Sequence, residues 1–509
     1  MSASREKKKR FEERAEGSEK RQVRAKTDYN AKKRKKLIGT IAAVVVVILL
    51  VVAVIFNSNL FYTGVAAVKV GDTKYTAADF NYEYFNTYYN TYDNLYNSYG
   101  SYVSLMLDPK TPLDKQNYSD TMTWDDYFEE QALTQLQQMA MLNDMAEAEG
   151  WKLSGEQLRE IEANIDSLKT GAVSNGYSDY RAYIRALYGK GITESRLRDL
   201  LEQSFNATYY SRDLADRWMA SYTEEELAEY YDGVRDEYDL VSYMAYFVDG
   251  SVPEDGEVDA DTALSQARDI ANEIASTGDQ ATFAEAVAKY APEDQKDLYA
   301  DEDACLHRLN APSMISDEAW KTWLMDSQRQ SGDTTVFAGE NGFYVLLFLE
   351  RNGNEFKTAN FRGITIQVGV DEETGEITDV TRSAAEETVN IILEAFNSEP
   401  TEEKFAELAD LYDTSGQALE GGLYSDVVKG QMAAQSVEDF LFDDATQVGD
   451  VKSFYEDGFY FVIYPKDRGE QYNLLLAKNL KASDQYASTI ESVRADYPVE
   501  TKFAFRFTK

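Results

Sequence analysis

The two most reactive side chains stand nearly side by side: the single cysteine, Cys305, lies two positions before the single histidine, His307. A thiolate-imidazole pair is the chemistry they suggest, and any Ser-His-Asp hydrolase here would have to use His307 itself. Residues two apart rarely face one another on a helix, and a small loop cysteine beside a polar residue is the commoner arrangement. One cysteine forms no internal disulfide, and one Cys with one His do not assemble a zinc site. Neither a metal nor a cofactor is expected.

Charge narrows the partners. Of 51 Lys and Arg, 15 fall in residues 1–36 beside six of the 90 acids, which leaves 36 bases against 84 acids, or −48, in the rest. So negative a surface is repelled by a phosphate backbone, so nucleic acid is not an expected partner. Leu37 to Phe56 is a run of twenty uncharged residues, which at about 1.5 Å per residue matches a hydrocarbon core of roughly 30 Å. The run predicts a membrane-spanning helix. Lys32 to Lys36 flank it, which places residues 1–36 in the cytoplasm and the main domain outside, as a single-pass protein of the cell membrane. A cleaved signal peptide would need a shorter stretch and a small-residue cleavage site, whereas Asn57-Ser58-Asn59 follows.

Further along, Val65 to Tyr75 reads as two short strands around Gly71-Asp72, with Thr76 as the N-cap of a Tyr-rich helix. That helix, Asn81 to Gly100, is either an aromatic-binding ladder or an element half buried on several sides, and tyrosine's apolar body favours the second. Ser154 to Gln157 and Thr223 to Glu226 are capping boxes, and helices are expected to end near Gly150 and Gly189. Beyond Tyr238 the pattern becomes strand, helix, helix, strand, and occurs twice. Phe283 to Tyr290 (FAEAVAKY) recurs as Phe405 to Tyr412 (FAELADLY), and Gly332 to Phe348 recurs as Gly449 to Tyr464. A last segment reads as helix (Ser483 to Ala495), a break at Tyr497-Pro498 and a strand (Val499 to Phe507).

The repeated unit resembles the parvulin-type (PpiC) prolyl isomerase domain: an edge strand, the Phe405 to Ala409 helix, the Gly421-Gly422-Leu423 turn, Gly430-Gln431-Met432, the Gly449-Asp450 turn and the strand from Gly458-Phe459-Tyr460. The upstream region is similar to the helical chaperone part of SurA and PrsA foldases. The resemblance implies an α+β fold: a basic tail (1–36), a transmembrane helix (37–56), a helical chaperone domain (57–237), two parvulin-like domains (238–352 and 353–469) and a C-terminal helix and strand (470–509). It also places the family's two histidines at Ala245 and Tyr344 in the first repeat and at Gly363 and Tyr460 in the second, all substituted. The family's Cys or Asp position falls near Asp413 to Ser415. Candidate catalytic residues are accordingly Tyr460, Ser415 and Asp413, and a candidate peptide groove comprises Leu423, Met432, Val437 and Tyr460. The implied function is a membrane-anchored foldase that binds unfolded exported polypeptides without ATP. An active isomerase acting through the second repeat, and an envelope scaffold or adhesion protein, are the alternatives.

Overall fold

The computed structural model describes residues 59–252, 258–371, 374–415 and 420–509, with part of the first 58. The expected membrane-spanning helix is not among its elements: no helix of the described residues is long and apolar enough to cross a membrane. Residues 40–51 and Val54 are helical. Residues 37–39, 52–53 and 55–56 lie outside the described residues. The single-pass placement across a cell membrane loses its structural basis with that helix.

The chain forms two compact units, residues 1–217 with 485–509, and residues 218–484. The first contains α1 (Asn59–Gly64), β1 (Ala66–Val70), β2 (Thr73–Thr76), α2 (Ala77–Tyr99), a small hairpin of β3 (Asn117–Ser119) and β4 (Met122–Thr123), α3 (Trp124–Glu149), α4 (Gly155–Ser174), α5 (Tyr180–Tyr188) and α6 (Glu194–Ser221) up to Arg217. The expected hairpin and caps are present. Thr76 and Asp79 form a capping box at α2, Ser154 and Gln157 another at α4, and Gly150 closes α3 in the left-handed conformation at φ 70°. Apolar residues at helical spacing on α4 and α6, Ile161, Ile165, Leu197 and Leu200, meet Ala78 and Tyr82 in one core. Below it the fully buried Asp79 receives both Nε and Nη2 of Arg196, at 2.6 and 2.5 Å.

The end of the chain completes this unit. Val499–Thr501 pairs antiparallel with β1, giving a three-stranded sheet with β1 in the middle. The strand is shorter than the expected Val499 to Phe507. Lys502 donates to the Ala67 carbonyl, and the chain then winds into a 3-10 turn, Phe503–Phe507. That turn sets Phe505 against Phe80 (4.8 Å between ring centres) and Phe507 against Phe61 (5.2 Å).

The second unit contains α7 (Glu224–Tyr238), then β5 (Leu240–Asp249), α8 (Ala260–Ile274), α9 (Gln280–Tyr290), α10 (Lys296–Tyr299), β6 (Leu306–Asn310), α11 (Glu318–Leu324), β7 (Thr334–Ala338) and β8 (Gly342–Asn352). After these come β9 (Lys357–Gln367), α12 (Asp379–Ser398), α13 (Glu402–Tyr412), β10 (Leu423–Val427), α14 (Gln435–Phe442), β11 (Lys452–Glu456), β12 (Phe459–Gln471) and the start of α15 (Tyr472–Arg494). Two antiparallel sheets result, in the orders β6-β5-β8-β7 and β10-β9-β12-β11. The first strand of each repeat is therefore interior, not at the edge, because the second strand pairs on its outer side. A helix pair covers one face of each sheet, and the matched Phe283 and Phe405 are fully buried there. The single helices α11 and α14 cover the opposite faces.

A buried polar hub lies where α7 and the two sheets meet. Asp239, fully buried, accepts from Tyr231 Oη (2.8 Å), Arg235 Nε (3.0 Å) and Arg351 Nε (2.6 Å). Arg351 also reaches Asp236 and the Met325 carbonyl, both at 2.6 Å. Asn354 donates to Tyr231 Oη and the Tyr238 carbonyl, and its own carbonyl takes the Asn473 amide. Removing one partner of a buried pair leaves the other charge uncompensated. Asp239→Ala is expected to cost about 3–5 kcal/mol, read as a lower urea midpoint. A loss below about 1 kcal/mol, the range of an exposed pair, would show that the hub does not hold the unit.

Candidate peptide-binding site

On the α14 side of the second sheet, Tyr424, Met432 and Phe461 are partly exposed over a floor of Phe361, Val437 and Ile463. Three local features build this surface. Gly363 leaves room for the rings: a Cβ there would meet the Phe361 and Tyr424 rings at 3.2 and 3.4 Å, and those two rings stack with centres 4.8 Å apart. Gly422, at φ 65°, lets β10 approach, since a Cβ would meet the Gly363 carbonyl oxygen at 2.4 Å. The loop into α14 is pinned by Glu438, buried on that helix, whose Oε2 accepts the amides of Gly430 (2.7 Å) and Met432 (3.3 Å). The N-terminus of α14 has no side-chain cap of its own, and Glu456 of β11 replaces one. It accepts the Gln435 and Ser436 amides and the Ser436 hydroxyl, which with those amides holds the Glu456 carboxyl below its ordinary range.

The four groove residues inferred from sequence do not share this surface. Met432 and Val437 are on it, but Tyr460 is buried in the opposite core, under α12 and α13 with Ile366, Val389 and Phe405. Leu423 pairs with Arg362, and directly opposed residues share a face. Arg362 binds Glu402 of α13 and the Gly421 carbonyl, so Leu423 belongs to the α13 side as well. The pairing register explains the displacement of Tyr460. Two positions beyond Ala245, Phe247 pairs with Tyr344, whereas two positions beyond Gly363, Thr365 pairs with Phe461. Tyr344 and Phe461 are thus the matched residues. The matched residues sit equally far from the turn, Tyr344 opposite Phe337 and Phe461 opposite Phe454, but the Gly-Phe-Tyr letters stand one place nearer the turn in the second hairpin, so lining them up shifts the strand by one and turns every side chain over. In the first sheet Tyr344 packs on Phe247 and Trp320 on the α11 side, beside Ala245.

Asp413 and Ser415 serve the sheet. Beyond the reach of β10, the edge of β9 is covered by residues 413–415. Asp413 accepts the Thr365 amide (2.8 Å), Thr414 exchanges bonds with Thr365 and Gln367, and the Ser415 hydroxyl donates to Asp413 (2.5 Å). Cys305 and His307 likewise part company. The thiol lies in the core beneath α8 and α9, where burial pushes it up to about 11. His307 stacks on Tyr243, with ring centres 4.6 Å apart, and burial holds it below 6.5. A thiol raised that far is not a nucleophile near neutrality.

The first unit offers a second apolar surface. The tyrosines of α2 are buried up to Tyr84 and emerge afterwards, so the helix is neither wholly buried nor a regular ladder. Tyr96, Tyr99, Tyr102, Leu105 and Met106 are exposed within eleven residues, Tyr102 at 72% and Leu105 at 83%.

Glu438→Ala removes the acceptor for two amides and is expected to cost about 1–3 kcal/mol, with faster hydrogen exchange at Gly430 and Met432. Unchanged exchange at both amides would mean that the loop is held otherwise.

No family model matches the chain, and no curated protein does. Among solved structures it is similar to PrsA from Bacillus subtilis, at 12% identity and a TM-score of 0.16, over 63% of this chain and 95% of that one. It is also similar to foldase protein PrsA from Streptococcus pneumoniae str. Canada MDR_19A, at 14% identity and a TM-score of 0.18, over 58% and 92%. TM-scores this low leave fold and function to be argued from the chain itself.

Proposed function

We propose that this protein is a foldase-type chaperone that holds unfolded polypeptide segments, preferring basic ones, and that its two sheet-bearing repeats are parvulin-like modules with little isomerase activity. The observation that carries the reading is the run of exposed aromatic and aliphatic side chains from Tyr96 to Met106. A contiguous exposed apolar patch marks an interaction surface. It is flanked by Asp93 and Asp108, in a chain with net charge −39, which favours cationic segments and speeds their encounter. Met and aromatic side chains accept many sequences because they repack around what they bind. The surface of Tyr424, Met432 and Phe461 offers a second contact of the same kind.

Isomerisation needs no covalent step, only an apolar pocket with placed polar groups that lowers a barrier of about 18–20 kcal/mol. At the four positions where the parvulin resemblance puts histidines stand Ala245, Gly363, Tyr344 and Tyr460, and Tyr460 faces away from the peptide-binding surface. The reading thus favours holding over catalysis.

The test uses the full chain with an unstructured peptide of Lys, Phe and Gly and its Glu-for-Lys counterpart. The Lys peptide is expected to bind more tightly without ATP, and its advantage to shrink as salt brings the Debye length to about 8 Å at 0.15 M. Tyr102→Ser with Leu105→Ser is expected to weaken binding about tenfold with the melting temperature unchanged, since both side chains are exposed. A slow proline phase of refolding, normally tens of seconds at 25 °C, should stay slow in the same preparation. Folded protein that binds neither peptide would end the chaperone reading.

A further inference from the structure

A cavity of about 200 Å³ with a mixed lining lies within the first unit, bordered by α2, α3, α6 and Tyr486 of α15, with Met139, Leu142 and Ala207 as its apolar part. Its lining includes Gln135 and Gln138 of α3 and Ser204, Thr208 and Ser211 of α6. Glu83 of α2 also lines it, at only 8% exposure. Among the described residues no hydrogen bond or ion pair engages the Glu83 carboxylate. The Arg196 guanidinium is held in two bonds by Asp79, one turn earlier on α2. A buried carboxylate without a donor is costly, and proteins normally neutralise such a group by a partner or a proton. Burial, then the Asp79 charge, push the Glu83 carboxyl up to about 7.

We propose that this cavity binds a primary ammonium group, with Glu83 as the counter-ion and the surrounding amide and hydroxyl oxygens as acceptors. The donor set selects the ligand. An ammonium head offers three N–H donors and no acceptor, matching one carboxylate ringed by neutral oxygens. A single negative charge suits a monovalent cation better than calcium, whose sites gather several carboxylates. The volume holds several waters at about 30 Å³ each, which leaves room for the head and a short alkyl stem.

The experiment follows thermal unfolding of the full chain at constant ionic strength and about pH 8, where Glu83 is mostly ionised. The probes are methylammonium, Nα-acetyl-lysine amide, tetramethylammonium and calcium. A ligand bound only by the folded state raises the melting temperature saturably. Methylammonium or the lysine amide is expected to do so, the former if the natural ligand is a free amine and the latter if it is a lysine side chain. Glu83→Gln, which removes a buried charge and keeps the shape, is expected to fold and to lose the effect. Thr208→Val should raise the apparent Kd about tenfold. The proposal is overturned if neither amine stabilises the protein, if Glu83→Gln responds equally, or if tetramethylammonium or calcium matches the amines.

Discussion

The second unit is organised around one carboxylate. Asp239 lies at the junction of α7 and β5, wholly out of water, and its three donors come from the helix before it and from the far end of β8. A charge so placed persists only if it is paired and hydrogen-bonded throughout. Its demands therefore fix several elements at once. Arg351 must end β8 in register with β5, Tyr231 must stand on the inner face of α7, and Asn354 must turn the chain from the first sheet into the second at φ 58°. The two sheets need not share a core, because the hub specifies where one stops and the next begins.

Both repeats obey the same topology while using it differently. In each, the face toward the helix pair is a closed apolar core, and the face toward the single helix is only partly covered. In the first, Trp320 and Tyr344 fill that open side with rings. In the second, Gly363 at the corresponding place on the first strand makes room for the stacked rings of Phe361 and Tyr424. The second presents an adaptable methionine, Met432, whose backbone amide Glu438 holds.

Local grammar was well exposed in the letters. Thr76, Ser154 and Thr223 announce their helices because a cap needs only a hydroxyl three residues before its partner, and Gly150 and Gly189 end theirs by the conformation they permit. Pairing between distant strands was less legible. Tyr460 and Phe461 are adjacent aromatics, and only the pairing register of β12 with β9 decides which one faces the open side. Asp413 and Ser415 were candidates through the parvulin resemblance, and their bonds along a strand edge are something no local pattern reveals. Glu438 carried a usable signal, a lone acid among Val437, Phe440 and Leu441 on the face of a helix, since an acid at such a place must find donors. The twenty uncharged residues at 37–56 matched a hydropathy rule, but no helix of the described residues is long and apolar enough to cross a membrane.

The sheet of the first unit has its middle strand near residue 70 and one of its outer strands near residue 500. Nothing encoded earlier can take the place of Val499–Thr501, so β1 keeps an open edge, and Phe61 and Phe80 lack their covering rings, throughout synthesis of the entire second unit. At roughly 5–20 residues per second, the interval for residues 218–484 is about 13–53 s. The nascent first unit is thus itself an unfinished fold with exposed aromatics for as long as translation lasts, and it needs the same shelter that its finished form is proposed to give to others.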